Sequence, residues 1–195
     1  MKDNTDRHRR SVRLQGYNYA HPGAYFVTIC TQGRKCLFGE ITNGEMRLNP
    51  FGNVVLEEWI RTAKVRKNIE LDSFVVMPNH FHGIIELFDT AVGATRRVAL
   101  SGTTHRVAPT MAMGPASGSI GAIIGQFKSV VTKRINEMRG ILSSPLWQRN
   151  YYEHVIRNEN ELNKIREYIL SNPLQWVQDR ENPAMAVREP PLQMK

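Results

Sequence analysis

A chain of 195 residues with 41% hydrophobic residues can bury one core with tails and is short for two. No apolar run approaches the roughly 20 residues of a membrane span, and the charged Met1–Arg13 segment carries no secretory h-region, so a membrane protein and an exported one are both argued against. The formal charge of +8 and pI of 9.8 favour a polyanion as partner.

In chain order, residues 1–20 read as a polar, basic arm. Ala24–Thr31, dense in β-branched and aromatic residues, reads as a buried strand. Cys30 packs inside it, and Cys30 and Cys36 are expected to be reduced thiols in a cytoplasmic protein rather than a disulfide or metal pair. Leu37–Leu48 fits a hairpin about Asn43-Gly44, two residues that tolerate positive φ. Phe51–Lys67 reads as a helix with Val55, Leu56, Trp59, Thr62 and Ala63 on its inner side. Ile69–Met77 and His80–Phe88 read as two strands broken by Pro78-Asn79. Residues 89–118, rich in Ala, Gly, Thr, Ser and Pro and without a period, read as a long flexible loop within one domain.

Ser119–Met138 carries the clearest helical stripe, from Ile120 through Phe127 to Ile135, with Ser119 able to cap its start and Gly140 its end. Leu146–Ile156 reads as a strand. Asn158 with Glu161 forms a capping-box arrangement for a helix over Glu159–Ser171, which Pro173 discourages from continuing. The domain thus runs over residues 21–177, and residues 178–195 are expected to be irregular and exposed. Strand, hairpin, helix, two strands, helix, strand, helix: that order predicts an α+β fold with helices packed on a mostly antiparallel sheet.

The chemistry concentrates in two places. On a strand starting at His80, alternate residues share a face, so His80, His82, Ile84 and Glu86 lie on one side and Phe81, Gly83, Ile85 and Leu87 on the other. Two residues' rise separates the histidine Cα atoms by roughly 6–7 Å, close enough for both rings to lean onto one ion. A solvated surface pair is the plain alternative. Two histidines with an oxygen ligand would leave open positions for water and phosphate, which suits Mg²⁺ or Mn²⁺ at a phosphoryl-transfer site. On the last helix, Lys164, Tyr168 and Asn172 stand one above another, beside the apolar stripe of Leu162, Ile165 and Ile169. That puts the Tyr168 hydroxyl at the border of the core, where a tyrosine is ordinarily a packing residue, and lets Asn172 offer an amide oxygen to a cation.

Val76-Met-Pro-Asn-His-Phe-His82, Trp147-Gln-Arg-Asn-Tyr-Tyr-Glu-His-Val-Ile-Arg157 and Glu167-Tyr-Ile-Leu-Ser-Asn-Pro173, in this order and approximate spacing, resemble the REP-associated tyrosine transposases of the HUH single-tyrosine group. Gly23–Cys30 and Phe127-Lys128-Ser129 are similar too, and residues 89–118 depart from the compact pattern. The resemblance implies a ferredoxin-like (RRM-like) sheet, His80 and His82 as ligands of a divalent cation, Asn172 in the place of the third ligand and Tyr168 as nucleophile. Tyr151 and Tyr152 are rivals by residue type. It further implies cleavage and rejoining of single-stranded, hairpin-containing repeat DNA through a 5′-phosphotyrosine.

For such a substrate, Lys128, Lys133, Arg134 and Arg149 would track phosphates, and Trp147 or Tyr151 would stack on bases. The plain alternative keeps Trp147 in the core and the cations solvated. Glu86 could orient a ligand or simply face solvent. Two other classes stay open: a domesticated DNA-binding module that no longer cuts, and a structural zinc protein using the histidines with Cys30 or Cys36. Monomer and homodimer fit equally.

Overall fold

The computed structural model describes residues 17–89 and 115–186. The basic arm up to residue 16, most of the segment 89–118 and the chain beyond residue 186 lie outside the described residues.

Four strands form one antiparallel sheet: β1 (Gly23–Cys30), β4 (Ile69–Val76), β5 (His80–Leu87) and β6 (Tyr152–Ile156), in the spatial order β4-β5-β1-β6. A separate two-stranded hairpin, β2 (Gly39–Thr42) and β3 (Glu45–Leu48), turns at Asn43 and Gly44, whose φ values of 55° and 78° are those the Asn-Gly pair tolerates. Helix α1 (Pro50–Lys64) connects β1 and the hairpin to β4, α2 (Ile120–Met138) connects β5 to β6, and α3 (Glu159–Ser171) follows β6. Leaving out the hairpin, β1-α1-β4-β5-α2-β6 is a βαββαβ chain with the first strand central, which is the ferredoxin-like arrangement.

The two sheet faces are used differently. One carries Tyr25, Val27, Ile29, Phe81 and Ile85 and packs on α1 and α2, with Trp59 at the centre, 4.5 Å from Phe81 and 5.3 Å from Phe127 between ring centroids. Gly83 makes that approach possible: a Cβ there would stand 2.6 Å from the Trp59 ring. The opposite face is smaller. Ala24, Phe26, Ile84 and Ile156 meet Leu162 and Ile169 of α3. Along β5 the side chains therefore alternate as the period of two requires, with His80 and His82 on the α3 face.

Local signals account for where the helices begin and end. Asn49 caps α1 by accepting from Phe51 N and Gly52 N; Ser119 caps α2 by accepting from Ala122 N; Asn158 caps α3 by accepting from Glu161 N, whose own side chain reaches back to Arg157 N. Past α2, Gly140 takes φ 66°, and the Gly140 and Ile141 amides donate to Glu137 and Asn136 carbonyls.

Three expectations are modified. The strand expected over Leu146–Ile156 is shorter: Leu146 to Tyr151 runs as a loop, tied to the end of β1 and the residues after it by the Thr31–Trp147 bridge and by Gln148 N donating to Cys30 O, before β6 begins at Tyr152. The β4–β5 register shifts between Leu71 and Phe74, which turns Asp72 toward α3, where its carboxylate takes Arg166 Nε at 3.0 Å and Nη2 at 2.5 Å. The segment after Val177 is not irregular throughout: a 3₁₀ turn at Trp176–Gln178 leads through Asp179 to a short helix α4 (Pro183–Ala186), and Glu181 and Asn182 are buried. Their backbone and side-chain polar groups find partners inside the fold, which is what holds the segment down.

Candidate active site

The imidazoles of His80 and His82 lie under α3, both buried, with ring centroids 4.5 Å apart. Each ring is held from behind through Nδ1. Asn79 Nδ2 donates to the carbonyls of Arg34 and Glu181, so its Oδ1 is the acceptor for His80 Nδ1–H at 2.8 Å. That leaves the lone pair of His80 on Nε2. Thr28, the cross-strand neighbour of His82, holds His82 Nδ1 at 2.8 Å. His82 Nε2 faces the Tyr168 hydroxyl at 3.2 Å. A protonated phenol donates there, so His82 also carries its proton on Nδ1 and its lone pair on Nε2. Burial pushes both imidazoles below the ordinary histidine range, and for His82 the neighbouring His80 adds to the effect. Two neutral rings offering Nε2 into one space is the state that ligates a metal.

Oxygen atoms complete the cluster. Asn172 ends α3, keeping the αR conformation although Pro173 follows, and it lies beside both His80 and Tyr168. Asp179 reaches in from the loop after α3. Its Oδ1 accepts from Glu181 N at 2.7 Å, and its Oδ2 stands 3.7 Å from His80 Nε2, too far for a hydrogen bond. The ligand atoms of His80, His82 and Asp179 lie within 4.8 Å of one another, the group of this kind among the described residues. His80 Nε2, Asn172 Oδ1 and Asp179 Oδ2 are buried without a hydrogen-bond partner among the described residues. Three orphaned electron-pair donors converging on one space are costly unless something positive satisfies them, so the residues present fit a divalent cation.

Tyr168 is 40% exposed, with its ring edge-on to His82 at 5.2 Å and to Phe26 at 6.1 Å. Burial of its hydroxyl, with the Asp179 carboxylate nearby, pushes the phenol up. It opens onto a cleft of about 550 Å³ that Tyr152, Asn172, Asp179 and Arg180 also line.

The sequence placed His80, His82, Tyr168 and Asn172 as candidates, and the structure brings all four together. It missed Asp179, because neither spacing nor periodicity marks an aspartate in the loop that follows α3. Asn79, read as a strand breaker, is the support behind His80. The basic candidates are elsewhere. Lys128, Lys133, Arg134 and Arg149 belong to α2 and the loop after it, on the sheet's other face. Lys128 Nζ donates to the Gln148 and Arg149 carbonyls, Arg134 is held by Glu57 and Glu58, and Lys133 faces Glu137 at 3.9 Å. Lys128, Lys133 and Arg149 line a groove of about 990 Å³ there. Trp147 is a core residue, 5% exposed against Phe38 and Phe127, so a base cannot lie on its ring. Tyr151 turns to that same core and donates to Glu153, whereas Tyr152 lines the Tyr168 cleft. Glu86 sits two strand positions past Ile84, where its charge acts on Arg166. Neither Cys30 nor Cys36 joins the histidine cluster.

A protein of Haemophilus influenzae described only as uncharacterized is 41% identical over 173 residues, covering 89% of this chain and 92% of that protein. No family model matches the chain. Among solved structures, a REP-associated tyrosine transposase bound to a REP hairpin superposes with a TM-score of 0.51 at 18% identity, over 85% of this chain and 73% of that one. At that identity the likeness is one of fold. No helix among the described residues is long and apolar enough to cross a membrane.

Proposed function

We propose that this chain, which belongs to one family with the Haemophilus influenzae protein and has the fold of a REP-associated tyrosine transposase, is itself a single-tyrosine transposase that cuts and rejoins single-stranded DNA. The observation that carries the reading is the 3.2 Å approach of the Tyr168 hydroxyl to His82 Nε2, within a cluster of three orphaned donors. A packing tyrosine has no need of such neighbours.

His80, His82, Asn172 and Asp179 would hold Mg²⁺ or Mn²⁺, which when bound supplies positive charge against the negative charge that develops on a phosphate. The remaining work belongs to the chain. The Tyr168 oxygen attacks the scissile phosphorus, the bond from phosphorus to the 3′ oxygen breaks, and the departing oxygen leaves as a 3′-hydroxyl once protonated. The phenol gives up its proton to water, because the lone pair of its 3.2 Å neighbour His82 Nε2 would be committed to the cation, and the 3′ oxygen takes its proton from water. The product is a 5′-phosphotyrosine that keeps the phosphodiester's free energy, so a second 3′-hydroxyl can attack it and restore both phenol and strand without ATP. A free phenol with a pKa of about 10 is a poor nucleophile at neutral pH, and here burial raises it further. Alignment of Tyr168 and neutralisation of charge must therefore carry the rate. A hairpin-containing repeat is the substrate this reading favours, by analogy with the hairpin bound to the solved relative in fold.

The test is a denaturing gel of the chain incubated with labelled single-stranded hairpin DNA and Mn²⁺. The expected result is a covalent band that chelator abolishes and Tyr168→Phe loses, while Tyr151→Phe and Tyr152→Phe keep it. A band that survives in Tyr168→Phe overturns the nucleophile. No band from any form, with hairpin binding intact, leaves a DNA-binding module of the same fold.

A further inference from the structure

The cleft beside Tyr168 has a wall that the cutting chemistry does not use. Tyr152 pairs with Thr28 across the β1–β6 ladder, so its side chain shares the sheet face of Thr28, Phe26 and His82. Its half-buried ring stands edge-on to Phe26, 6.2 Å between centroids at 67°. Support from one side and an open cleft on the other is how an aromatic ring carries a planar ligand. Arg180 lines the same cleft. Its carbonyl is tied to Arg34 Nη1 at 3.2 Å, which fixes the backbone, while its side chain is 79% exposed. The adjacent Glu181 carboxylate is shared, with Arg34 Nε at 3.0 Å and Arg180 Nε at 3.4 Å, so two guanidinium groups meet one carboxylate, and the other carboxylate of the cleft, Asp179, is the one assigned to the cation. Arg180 is the basic residue among those lining this cleft, and Gln175 and Gln178 add amides at its rim. The volume of about 550 Å³ falls within the roughly 300–1,000 Å³ of small-ligand clefts.

We propose that this cleft is a single-nucleotide subsite next to the scissile phosphate, in which Tyr152 carries the base by stacking and Arg180 takes a phosphate oxygen. The inference rests on the proposed strand-cutting function and adds to it a place for the flanking nucleotide. An aromatic face accepts any base, and a guanidinium binds any phosphodiester, so the subsite supplies affinity and register. Sequence preference, where present, falls to Gln175 and Gln178, which can meet base edges.

Binding and cutting are measured separately. Fluorescence anisotropy with labelled single-stranded oligonucleotides, in chelator so that no strand is cut, follows the full chain and its variants, with one abasic position moved along the strand. Tyr152→Leu is expected to bind roughly 5- to 150-fold more weakly, the range of one base stack, while Tyr152→Trp binds as the parent does. One abasic position should cost the parent the same factor and cost Tyr152→Leu nothing more. Arg180→Gln should weaken all sequences alike and reduce the slope of log affinity against log salt by about 0.7, one single-strand phosphate; Arg180→Lys should restore the slope. Unchanged binding in Tyr152→Leu and Arg180→Gln overturns the subsite, as does an abasic loss that adds in full to that of Tyr152→Leu. Formation of the Tyr168 adduct by the parent chain then still stands. Conversely, these binding signatures without any adduct would uphold the subsite and sink the cutting reaction. A parent chain that binds no single strand overturns both.

Discussion

Asn79 and Thr28 decide which atom each imidazole presents. A histidine has two ring nitrogens, and the one that is hydrogen-bonded behind leaves the other for ligation. Asn79 Oδ1 and Thr28 Oγ1 occupy the two Nδ1 atoms, so both Nε2 atoms point toward Tyr168, Asn172 and Asp179. Replacing Asn79 with Ala frees the His80 ring to turn and removes the link to the Arg34 and Glu181 carbonyls. We expect Asn79→Ala to lower Mn²⁺ affinity about 10- to 100-fold, the usual effect of a supporting partner, as read by Mn²⁺ titration in electron paramagnetic resonance. Undiminished affinity would mean that the ring is held by packing alone. At this scale the sequence is partly legible. A strand's alternation puts His80 and His82 on one face, and the helix repeat puts Tyr168 and Asn172 on one flank, so four groups can be named in advance. Asp179 and Asn79 cannot, because their roles come from a loop folding back, and no local period records that.

At the scale of elements, two joints hold the site's frame. In the first, the backbone of β5 at Gly83 meets Trp59 of α1, with a Cβ-to-ring distance of 2.6 Å for any larger residue. Gly83→Ala should overpack this contact and destabilise the chain by about 1–3 kcal/mol, measured from urea unfolding, with the neighbouring histidines displaced as a result. The second joint sets α3, which carries both Tyr168 and Asn172. Asn158 caps its start and the Arg166–Asp72 pair clamps its middle to β4. Asn158→Ala should cost about 1 kcal/mol, seen as faster amide exchange in the first turn of α3. The cap pattern and the limits of α3 are readable from Asn158, Glu161 and Pro173. The clamp is not: the alternating pattern of Ile69–Met77 looks like an unbroken strand, and only pairing with β5 reveals the register shift that turns Asp72 toward Arg166.

The whole molecule separates its main apolar core from its candidate site by sheet face. Most of the large buried side chains lie with α1 and α2, whereas the α3 side trades apolar contacts for buried polar groups. One consequence is a pH dependence of stability. Both imidazoles are depressed in the folded chain, so it refuses protons that the unfolded chain accepts below about 6.5. The unfolded state then binds more protons, and stability rises with pH up to that value and is lost as pH falls below it. The urea midpoint should drop between pH 7.5 and 5.5, a window above the carboxylates, and drop less in a His80→Gln, His82→Gln double variant. A flat profile in the parent chain would contradict neutral burial of the pair. The order of elements, the antiparallel sheet and the helices on it follow from hydrophobic periods, caps and turns in the sequence. The division of labour between faces does not, since it depends on which side of the sheet each helix crosses, and without that information Trp147 and the basic residues of α2 read equally as substrate contacts and as core or solvated groups.

The central claim, that Tyr168 is the group joined to the strand, can be read directly by mass. Trypsin should release residues 167–180 and residues 150–157 as separate peptides, the first holding Tyr168 and the second Tyr151 and Tyr152. Tandem mass spectrometry of chain trapped with a short single-stranded hairpin and Mn²⁺ should find the nucleotide remnant on the 167–180 peptide, at Tyr168. A remnant on the 150–157 peptide would contradict the account.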